Sequence, residues 1–330
     1  MDPVSQAFLG ASLSQSSTTK KSQLISAFFI GALAGMAPDL DVLIKSSTDP
    51  ILFLEFHRQF THSLIFIPIG ALLCALVFYP FAKSALSFKQ IYLFSFLGYA
   101  THGLLDACTS YGTLLFWPFS YQRVAWNTVS IVDPFFTLPL IGFVLLAVFR
   151  KRILYARLGF IYAVLFLSLG LVQKNRAEEV LETLAQQRNH VPERMLVKPS
   201  FANRHVWKMV YEYNGRYYVD AVKLLWQAEI FSGMSVKKLN VKQDFSWLDL
   251  NSQQAKDIER FRWFSNDFLA LSSNDPNYII DMRYSFLPNQ IEAKWGIILS
   301  EKNNKQQHVS YKMHNRPNKE TLNQFMDMLF

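Results

Sequence analysis

The sequence predicts a multi-spanning α-helical membrane bundle followed by a small α+β extramembrane domain with antiparallel strands. Charge is the first observation: residues 1–173 contain 18 Asp, Glu, Lys and Arg residues, whereas residues 174–330 contain 40. Length is the second, because several apolar stretches in the first half approach the roughly 20 residues that a spanning helix needs. We therefore predict a helical membrane domain over 1–173 and a soluble α+β domain over 174–330.

The apolar stretches of the first half are Leu24–Ile44, Leu64–Ala82, Ile91–Phe116, Pro134–Phe149 and Ile153–Val172. The segment Pro3–Ser17 is moderately apolar, and at about 1.5 Å per residue it is nearly long enough to cross a membrane as a helix inside the bundle. We expect it to form a sixth helix.

The basic residues predict an orientation. Arg150-Lys151-Arg152 form a short loop between the last two apolar stretches, and the positive-inside rule places such a loop in the cytoplasm. Counting outward from this loop puts Lys83, Lys89 and the Lys20-Lys21 pair on the same inner side. Residues 174–330 then follow a span that exits, so we expect a multi-pass protein of the bacterial inner membrane with a periplasmic C-terminal domain.

The second half begins with a helical pattern over Asn175–Arg188 and then becomes strand-like. Two runs, 205–213 and 216–220, flank Asn214-Gly215, and Asn-Gly supplies the positive φ values of a type I′ hairpin turn. Runs around Tyr278–Arg283 and Ile291–Ser300 predict further strands, hence a small antiparallel sheet.

Composition excludes some classes of protein. The net charge of +8 comes from basic residues that form no long cluster, and several of them flank apolar segments, so we predict no nucleic-acid partner. Cys74 and Cys108 provide neither a disulfide framework nor a Cys-rich zinc motif. The first residues lack the basic and apolar regions of a cleavable signal peptide.

Three groups of polar residues fall at the predicted outer ends of spans. They are Pro38-Asp39-Leu40-Asp41, His57-Arg58-Gln59-Phe60-Thr61-His62-Ser63 and the segment from His102 to Gly112, which includes Asp106. Ionisable residues at membrane depth are costly, so they are usually paired or functional. His102 and Asp106 are four residues apart, which puts them on one helix face where both can reach one cation.

These groups predict a metal site. Asp39, Asp41, His57, His62, His102 and Asp106 match the nitrogen and oxygen ligand sets of zinc, manganese or iron, and they suffice for one or two divalent ions. Two such ions can clamp the oxygens of a phosphoester. Arg58 suits a phosphate because its guanidinium is a planar fork of donors. Thr61 and Ser63, with Thr109 and Ser110, are expected to support the ligands.

Other interpretations stay open at this point. His102 and Asp106 alone fit a buried hydrogen-bonded pair, Asp39 and Asp41 alone fit solvated carboxylates, and Asp133 before Pro134 fits a helix N-cap as well as a ligand. The same residues could form an ion or proton path of a transporter. In a third hypothesis the C-terminal domain binds a partner and the buried groups are structural. The metal interpretation is favoured because all three groups fall on one side of the membrane.

At these motifs the sequence resembles the YdjM-like family of bacterial inner-membrane proteins, which are described as metal-dependent hydrolases. The resemblance begins at Met1–Gly10, runs through the three motifs and Ile131–Pro134, and includes Phe261–Ser265 and Asp281–Tyr284, which look similar to longer members. Many members have a histidine where Gln6 stands here. The order of aspartate, Thr-His-Ser and His-x-x-x-Asp also resembles zinc-dependent phospholipase C and related nucleases.

The expected function is metal-dependent hydrolysis of an ester bond at the periplasmic side of the membrane. The substrate class we predict is a phosphoester of a lipid or of a lipid-linked molecule, with Arg58 orienting it. The expected partners are the lipid bilayer and this substrate.

Overall fold

The computed structural model describes residues 1–303, 305–314 and 316–330. The chain forms two compact units. The first contains residues 1–43, 56–172 and 201–204, and the second contains residues 44–55, 173–200 and 205–330. The segment 44–55, which the sequence analysis grouped with the membrane domain, thus belongs to the second unit.

The first unit is helical. Its helices are α1 (Pro3–Ser16), α2 (Leu24–Met36), α4 (Ile67–Ala82), α5 (Phe88–Ala107), α6 (Pro134–Phe149) and the first part of α7 (Ile153–Gln187), while the short α3 (Leu52–Phe56) begins in the second unit. Short 3₁₀ turns lie at Lys21–Gln23, Ala37–Leu43, Phe60–His62 and Leu64–Phe66. Among the described residues, three helical stretches are long and apolar enough to cross a membrane: Lys21–Leu43, Leu64–Ala82 and Ile153–Gln187. The helix Pro134–Phe149 is apolar but shorter.

Two helices of the first unit, α1 and α6, have aspartate side chains as N-caps. The carboxylate of Asp2 accepts a hydrogen bond from the Ser5 backbone N–H, and Pro3 occupies the first turn of α1. Asp133 caps α6 in the same way by accepting from the backbone N–H groups of Phe135 and Phe136 at 3.0 and 3.3 Å. The N-cap interpretation of Asp133 is therefore the one that the structure supports.

Helices α1 and α2 approach each other closely through glycine. A Cβ atom added at Gly10 would lie 2.4 Å from the carbonyl oxygen of Gly31, so no larger residue fits at this crossing without a shift. The hydroxyl of Ser14 donates to the carbonyl of Phe94 on α5 at 2.9 Å. The predicted sixth helix, α1, therefore packs within the bundle, with Gln6 and Ser14 fully buried.

The third apolar stretch, Ile91–Phe116, is only partly helical. Helix α5 ends at Ala107, and an irregular segment follows up to Pro134. The backbone N–H of Trp126 donates to the carbonyl of Ala107 at 2.7 Å, and that of Thr128 donates to the carbonyl of Cys108 at 2.8 Å. These bonds satisfy carbonyls that a helix end leaves without an intrahelical partner.

Helix α7 has 35 residues and joins two patterns that the sequence analysis separated. The expected span Ile153–Val172 and the helix expected over Asn175–Arg188 form one continuous helix that ends at Gln187. The residues after Val172 are mostly Gln, Lys, Arg, Glu, Ala and Leu, which favour helix, and neither glycine nor proline interrupts them.

The second unit contains two antiparallel four-stranded sheets. The first has the order β1 (Arg194–Pro199), β2 (Val206–Tyr213), β3 (Arg216–Leu224) and β4 (Ala228–Lys237); the second has the order β5 (Leu269–Ser272), β6 (Asp275–Asp281), β7 (Trp295–Ile298) and β8 (Ser310–Met313). Its further helices are α8 (Val241–Asp244), α9 (Gln253–Phe264) and α10 (Lys319–Leu329). The predicted α+β domain with antiparallel strands is confirmed, although it has two sheets instead of one.

The predicted hairpin is present. Strands β2 and β3 pair in register from Val206 with Lys223 to Tyr213 with Arg216. Asn214 and Gly215 have φ values of 49° and 66°, as a type I′ turn requires. Trp207, Met209 and Tyr211 on β2 pack with Ala177 and Leu181 of α7 in one hydrophobic cluster.

The segment Asp281–Tyr284, which resembles longer members of the family, contains a buried ion pair between Asp281 and Arg283. The Arg283 guanidinium donates to both carboxylate oxygens of Asp281 and to the carbonyl of Phe264 at 3.0 Å. Both Asp281 and Arg283 are buried. This ion pair ties the end of α9 to strand β6.

Candidate metal centre

Four side chains from three segments of the first unit converge on one point. They are Asp39 from the turn Ala37–Leu43, His62 from the turn Phe60–His62, and His102 and Asp106 from α5. The Nε2 atoms of His62 and His102 lie 3.0 Å apart. Oδ1 of Asp39 is 3.4 Å from the first and 3.3 Å from the second. Oδ2 of Asp106 is 3.2 and 3.6 Å from them.

These separations fit a common metal ion. Ligand atoms about 2.0–2.1 Å from an ion lie roughly 3.3 Å apart in tetrahedral geometry and roughly 2.9 Å apart in octahedral geometry. The observed separations of 3.0–3.6 Å lie within about 0.3 Å of these values. The cluster thus has the spacing of a metal-ligand set, and it is compatible with more than one ion.

Hydrogen bonds orient both imidazoles for ligation. Nδ1 of His102 lies 2.5 Å from the carbonyl oxygen of Gly35, and since a carbonyl only accepts, Nδ1 must carry the proton. Nδ1 of His62 lies 3.2 Å from Oδ2 of Asp41 and 3.0 Å from the Thr61 hydroxyl. In the neutral imidazoles both Nε2 atoms therefore present a lone pair, because a hydrogen-bond partner at Nδ1 fixes the tautomer that can bind a metal ion. Two lone pairs 3.0 Å apart repel unless a cation lies between them.

Asp41 lies behind His62 and beside His57. Its Oδ2 accepts from the Arg58 backbone N–H and the Thr61 hydroxyl, both at 2.9 Å, and its Oδ1 lies 2.8 Å from Nδ1 of His57. Asp39, Asp41 and His57 form a second group with metal-ligand spacing. The two groups share Asp39.

The local backbone explains why these residues meet. Gly103 lies one residue after His102, and a Cβ atom there would lie 2.3 Å from the carbonyl oxygen of His62. Only glycine lets the Phe60–His62 turn approach α5 so closely. Arg58 has a φ of 65°, an uncommon value for a residue with a Cβ atom. Its backbone N–H donates to the Asp41 carboxylate, and this hydrogen bond holds the turn after α3 against the turn Ala37–Leu43.

Arg58 is buried inside the cluster. Its Nε lies 3.0 Å from Oδ2 of Asp106, and its Nη1 group donates to the Thr109 hydroxyl at 2.9 Å. Its guanidinium carbon lies 4.8 Å from the ring centre of Tyr111. The arginine therefore places a fixed positive charge next to the ligand carboxylate of Asp106.

Gln6 also belongs to the cluster. Its Nε2 group donates to Oδ1 of Asp106 at 2.9 Å and to the carbonyl of His102 at 3.4 Å. The amino group of Met1 pairs with the same carboxylate oxygen. The glutamine thus contacts the metal-ligand set through Asp106 and helps to orient that carboxylate.

The structure brings most of the predicted site residues together. Asp39, His62, His102 and Asp106 share one centre, and Asp41, His57, Arg58 and Thr61 surround it. The hydroxyl of Ser63 instead donates to the carbonyl of Phe60 at 2.7 Å, within its own turn. Two contacts were not predicted from the sequence: the Tyr111 ring beside Arg58, although Tyr111 lies in the third motif, and the Gly35 carbonyl beside His102, which is a backbone atom and has no sequence pattern.

Comparison with known proteins gives a family match over the part of the chain that contains the site. The model of the YdjM inner membrane protein family matches residues 1–177, which include every residue of the cluster. The likeness of Phe261–Ser265 and Asp281–Tyr284 to longer members lies outside that match and stays a prediction. No solved structure matches the chain.

Two curated relatives share about a third of the chain. The uncharacterized protein YfhP of Bacillus subtilis is 32% identical over 110 residues, which are 33% of this chain and 33% of that protein. The inner membrane protein YbcI of Escherichia coli is 32% identical over 107 residues, which are 31% of this chain and 61% of that protein. In each case the match spans less than two thirds of the relative. By the family match over more than half of its length, the chain belongs to the YdjM inner membrane protein family.

Proposed function

We propose that this protein is a membrane-embedded, metal-dependent hydrolase that cleaves an ester bond. The phosphoester of a lipid or lipid-linked molecule is the substrate class that suits it best. The observation that carries the proposal is the convergence of Asp39, His62, His102 and Asp106 with both Nε2 lone pairs directed at one point.

The donor set fits a divalent ion. Two imidazoles and two carboxylates match zinc, with manganese and iron as alternatives. When bound, such an ion would lower the pKa of a coordinated water and polarise the scissile bond. Asp41 would hold His62 in its ligating tautomer, and Arg58 would supply positive charge beside a phosphate.

A second ion is part of the proposal. Asp41 and His57 form the second ligand group with Asp39, and a carboxylate shared by two ligand groups can bridge paired ions. The bonds that Asp41 already receives from Arg58 and Thr61 make the first group the stronger centre. We therefore expect at least one ion per chain.

The orientation stays part of the proposal. The lysines and arginines at Lys20, Lys83, Lys89 and Arg150–Arg152 favour a site at the periplasmic side and a periplasmic C-terminal domain. A cysteine introduced in the exposed loop after α4 and another in the second unit should be labelled from opposite sides of the membrane by an impermeant maleimide.

The alternative function is an ion or proton path. It is less favoured because the polar side chains deeper in the bundle, such as Ser12 and Ser14, are not ionisable and donate to the backbone carbonyls of Ala156 and Phe94. A transport path needs titratable or ion-binding groups through the membrane depth.

Elemental analysis of the detergent-purified protein tests the proposal. Wild type is expected to hold at least one equivalent of a transition metal, whereas His102→Ala and Asp39→Ala lose it. His314→Ala, an exposed histidine of the second unit, is the matched control and should keep the metal. A phosphoesterase and lipid-hydrolase screen of the metal-loaded protein follows, and metal-free wild type would refute the metal site outright.

A further inference from the structure

An apolar groove lies in the first unit between α1, α5 and α7. It has a volume of about 280 Å³, and its walls include Leu9 and Leu13 of α1, Leu105 of α5, and Ala163 and Leu167 of α7. Trp126 and Cys108 lie in the wall as well, in and next to the segment that follows α5. The groove therefore runs along three helices of the helical unit.

The groove offers water no hydrogen-bonding partner along its helical walls. The hydroxyl of Thr101, which is part of the lining, donates to the Gly98 carbonyl of its own helix at 2.8 Å. A space without polar partners holds water poorly and favours apolar ligands. The apolar walls therefore favour a hydrocarbon ligand.

The groove lies beside the metal cluster along two helices, and its lining residues alternate on α5 with the ligands His102 and Asp106. On α5, Leu105 precedes Asp106, and the lining residues extend back to Ala100. From Cys108 to Ala100 this is about 12 Å at the rise of an α-helix. On α1, Leu9 lies three residues after Gln6, whose amide donates to Asp106.

The width of the groove favours an acyl chain over a second copy of the protein. A volume of about 280 Å³ that extends about 12 Å along α5 is on average only about 5 Å wide, whereas an α-helix with its side chains is about 10 Å across. An extended hydrocarbon chain is narrow enough to lie along such a groove. The exposed rim at Leu104 and Val164 leaves a lateral entrance on the helices that would meet lipid.

We infer that this groove binds the acyl chain of a lipid substrate and directs its ester group toward the cluster of Asp39, His62, His102 and Asp106. The inference rests on the proposed function for the reaction, but not for the binding. It makes lipid, rather than a soluble ester, the substrate of the site.

Photo-crosslinking tests the binding without any activity. The full chain is placed in nanodiscs of phosphatidylethanolamine and phosphatidylglycerol with a trace of phosphatidylglycerol that carries a diazirine in one acyl chain. We expect adducts concentrated at residues 100–108 and 160–167. Val164→Trp, which fills the rim, should lower these adducts at least about fivefold, because the bulky indole removes the space that the chain needs.

Leu165→Trp is the matched control. Leu165 is 58% exposed on the same helix and does not line the groove, whereas Val164 is 47% exposed and does. The control should keep the labelling pattern. Adducts spread evenly over all apolar helices would show boundary lipid only and overturn the inference, as would adducts that join two copies of the protein at this face.

Hydrolysis supplies the second readout. For the metal-loaded protein, Val164→Trp should lower kcat/KM for dipalmitoyl phosphatidylglycerol at least about tenfold while leaving dibutyroyl phosphatidylglycerol and the metal content unchanged. Equal losses on both lipids would contradict the groove. Concentrated adducts on a protein without metal would support the groove while refuting the hydrolase, so the two failures are distinguishable.

Discussion

Two clusters of histidine and aspartate, one in each unit, have similar residues and opposite chemistry. In the second unit Arg260 donates to Asp49, Glu55 and Asp257, and His308 Nδ1 lies 2.9 Å from Asp257. Every carboxylate there has a cationic partner. In the first unit two carboxylates and two imidazole lone pairs surround one point, and the cations beside it, Arg58 and the Met1 amino group, both contact Asp106. Composition alone therefore does not mark a metal site; the direction of the lone pairs does.

The largest effect we expect comes from neutralising one carboxylate in each cluster. Asp106→Asn removes a charged ligand oxygen from the first, so metal affinity should fall more than about a hundredfold. Asp257→Asn in the second should leave metal affinity unchanged, because no pair of imidazoles faces it. Metal titration of the two purified variants checks this. Equal affinity in both would contradict the assignment of the first cluster.

Asp41→Asn should have an intermediate effect. Asp41 contacts His62 through Nδ1, and removal of such an outer partner commonly lowers metal affinity about 10–100-fold. The same titration, followed by elemental analysis at saturating metal, separates two roles. A loss of one of two bound equivalents would instead identify Asp41 as a direct ligand of a second ion.

The different roles of Asp39 and Asp41 show where prediction from sequence ends. His102 and Asp106 could be paired from their spacing, because an α-helix fixes which face they share. Asp39 and Asp41 lie in a 3₁₀ turn, where residues two apart are about 120° from each other around the axis. Asp39 therefore contacts the Nε2 atoms of the two histidines, whereas Asp41 contacts Nδ1 of His57 and of His62. No periodicity in the sequence predicts such a turn.

Other parts of the fold were predictable for equally local reasons. Asn214-Gly215 specified its hairpin because both residues tolerate positive φ. The division of the second unit into two sheets was not predictable, since strand pairing over long separations is absent from local patterns. The contact of the Gly35 carbonyl with His102 was likewise not predictable, because every residue has a backbone carbonyl and the sequence does not show which one lies near a side chain.

Arg260→Ala tests the claim that the second cluster is structural. Its partners Asp49 and Glu55 lie in the segment 44–55, so the variant should free this segment and destabilise the second unit by about 2 kcal/mol, as expected for a partly buried ion-pair network. Hydrogen exchange of residues 44–55 should increase. Arg216→Ala, at an exposed arginine, is the control and should change neither quantity. Unchanged exchange in Arg260→Ala would mean that other contacts, such as Phe53 on Tyr311, hold the segment.

The smallest effect concerns a buried cation that, unlike Arg260, has no carboxylate of the described residues within hydrogen-bond distance. The Lys208 ammonium donates to the Ser285 hydroxyl and to the carbonyls of Pro288 and Gln290. Burial lowers the pKa of Lys208 to about 7, and the charge of Asp281 only partly opposes this. Between pH 7 and the ordinary pKa near 10.5, the unfolded chain therefore holds a proton that the folded chain lacks.

The sign of the pH dependence follows from that difference. Raising the pH through this window removes an advantage of the unfolded state, so the free energy of unfolding rises, by at most about 1.4 kcal/mol per pH unit from this group. Below pH 7 the contribution is constant. Burial also lowers the pKa of Lys198 and Lys294, which add slopes of the same sign. Denaturant unfolding of wild type and Lys208→Met at several pH values isolates Lys208, because the variant should lose only its share of the rise. Parallel curves for the two proteins would show that Lys208 keeps its ordinary pKa. The second unit would then hold a buried ammonium charge among carbonyl and hydroxyl oxygens, whereas Arg58 of the first unit lies beside the Asp106 carboxylate.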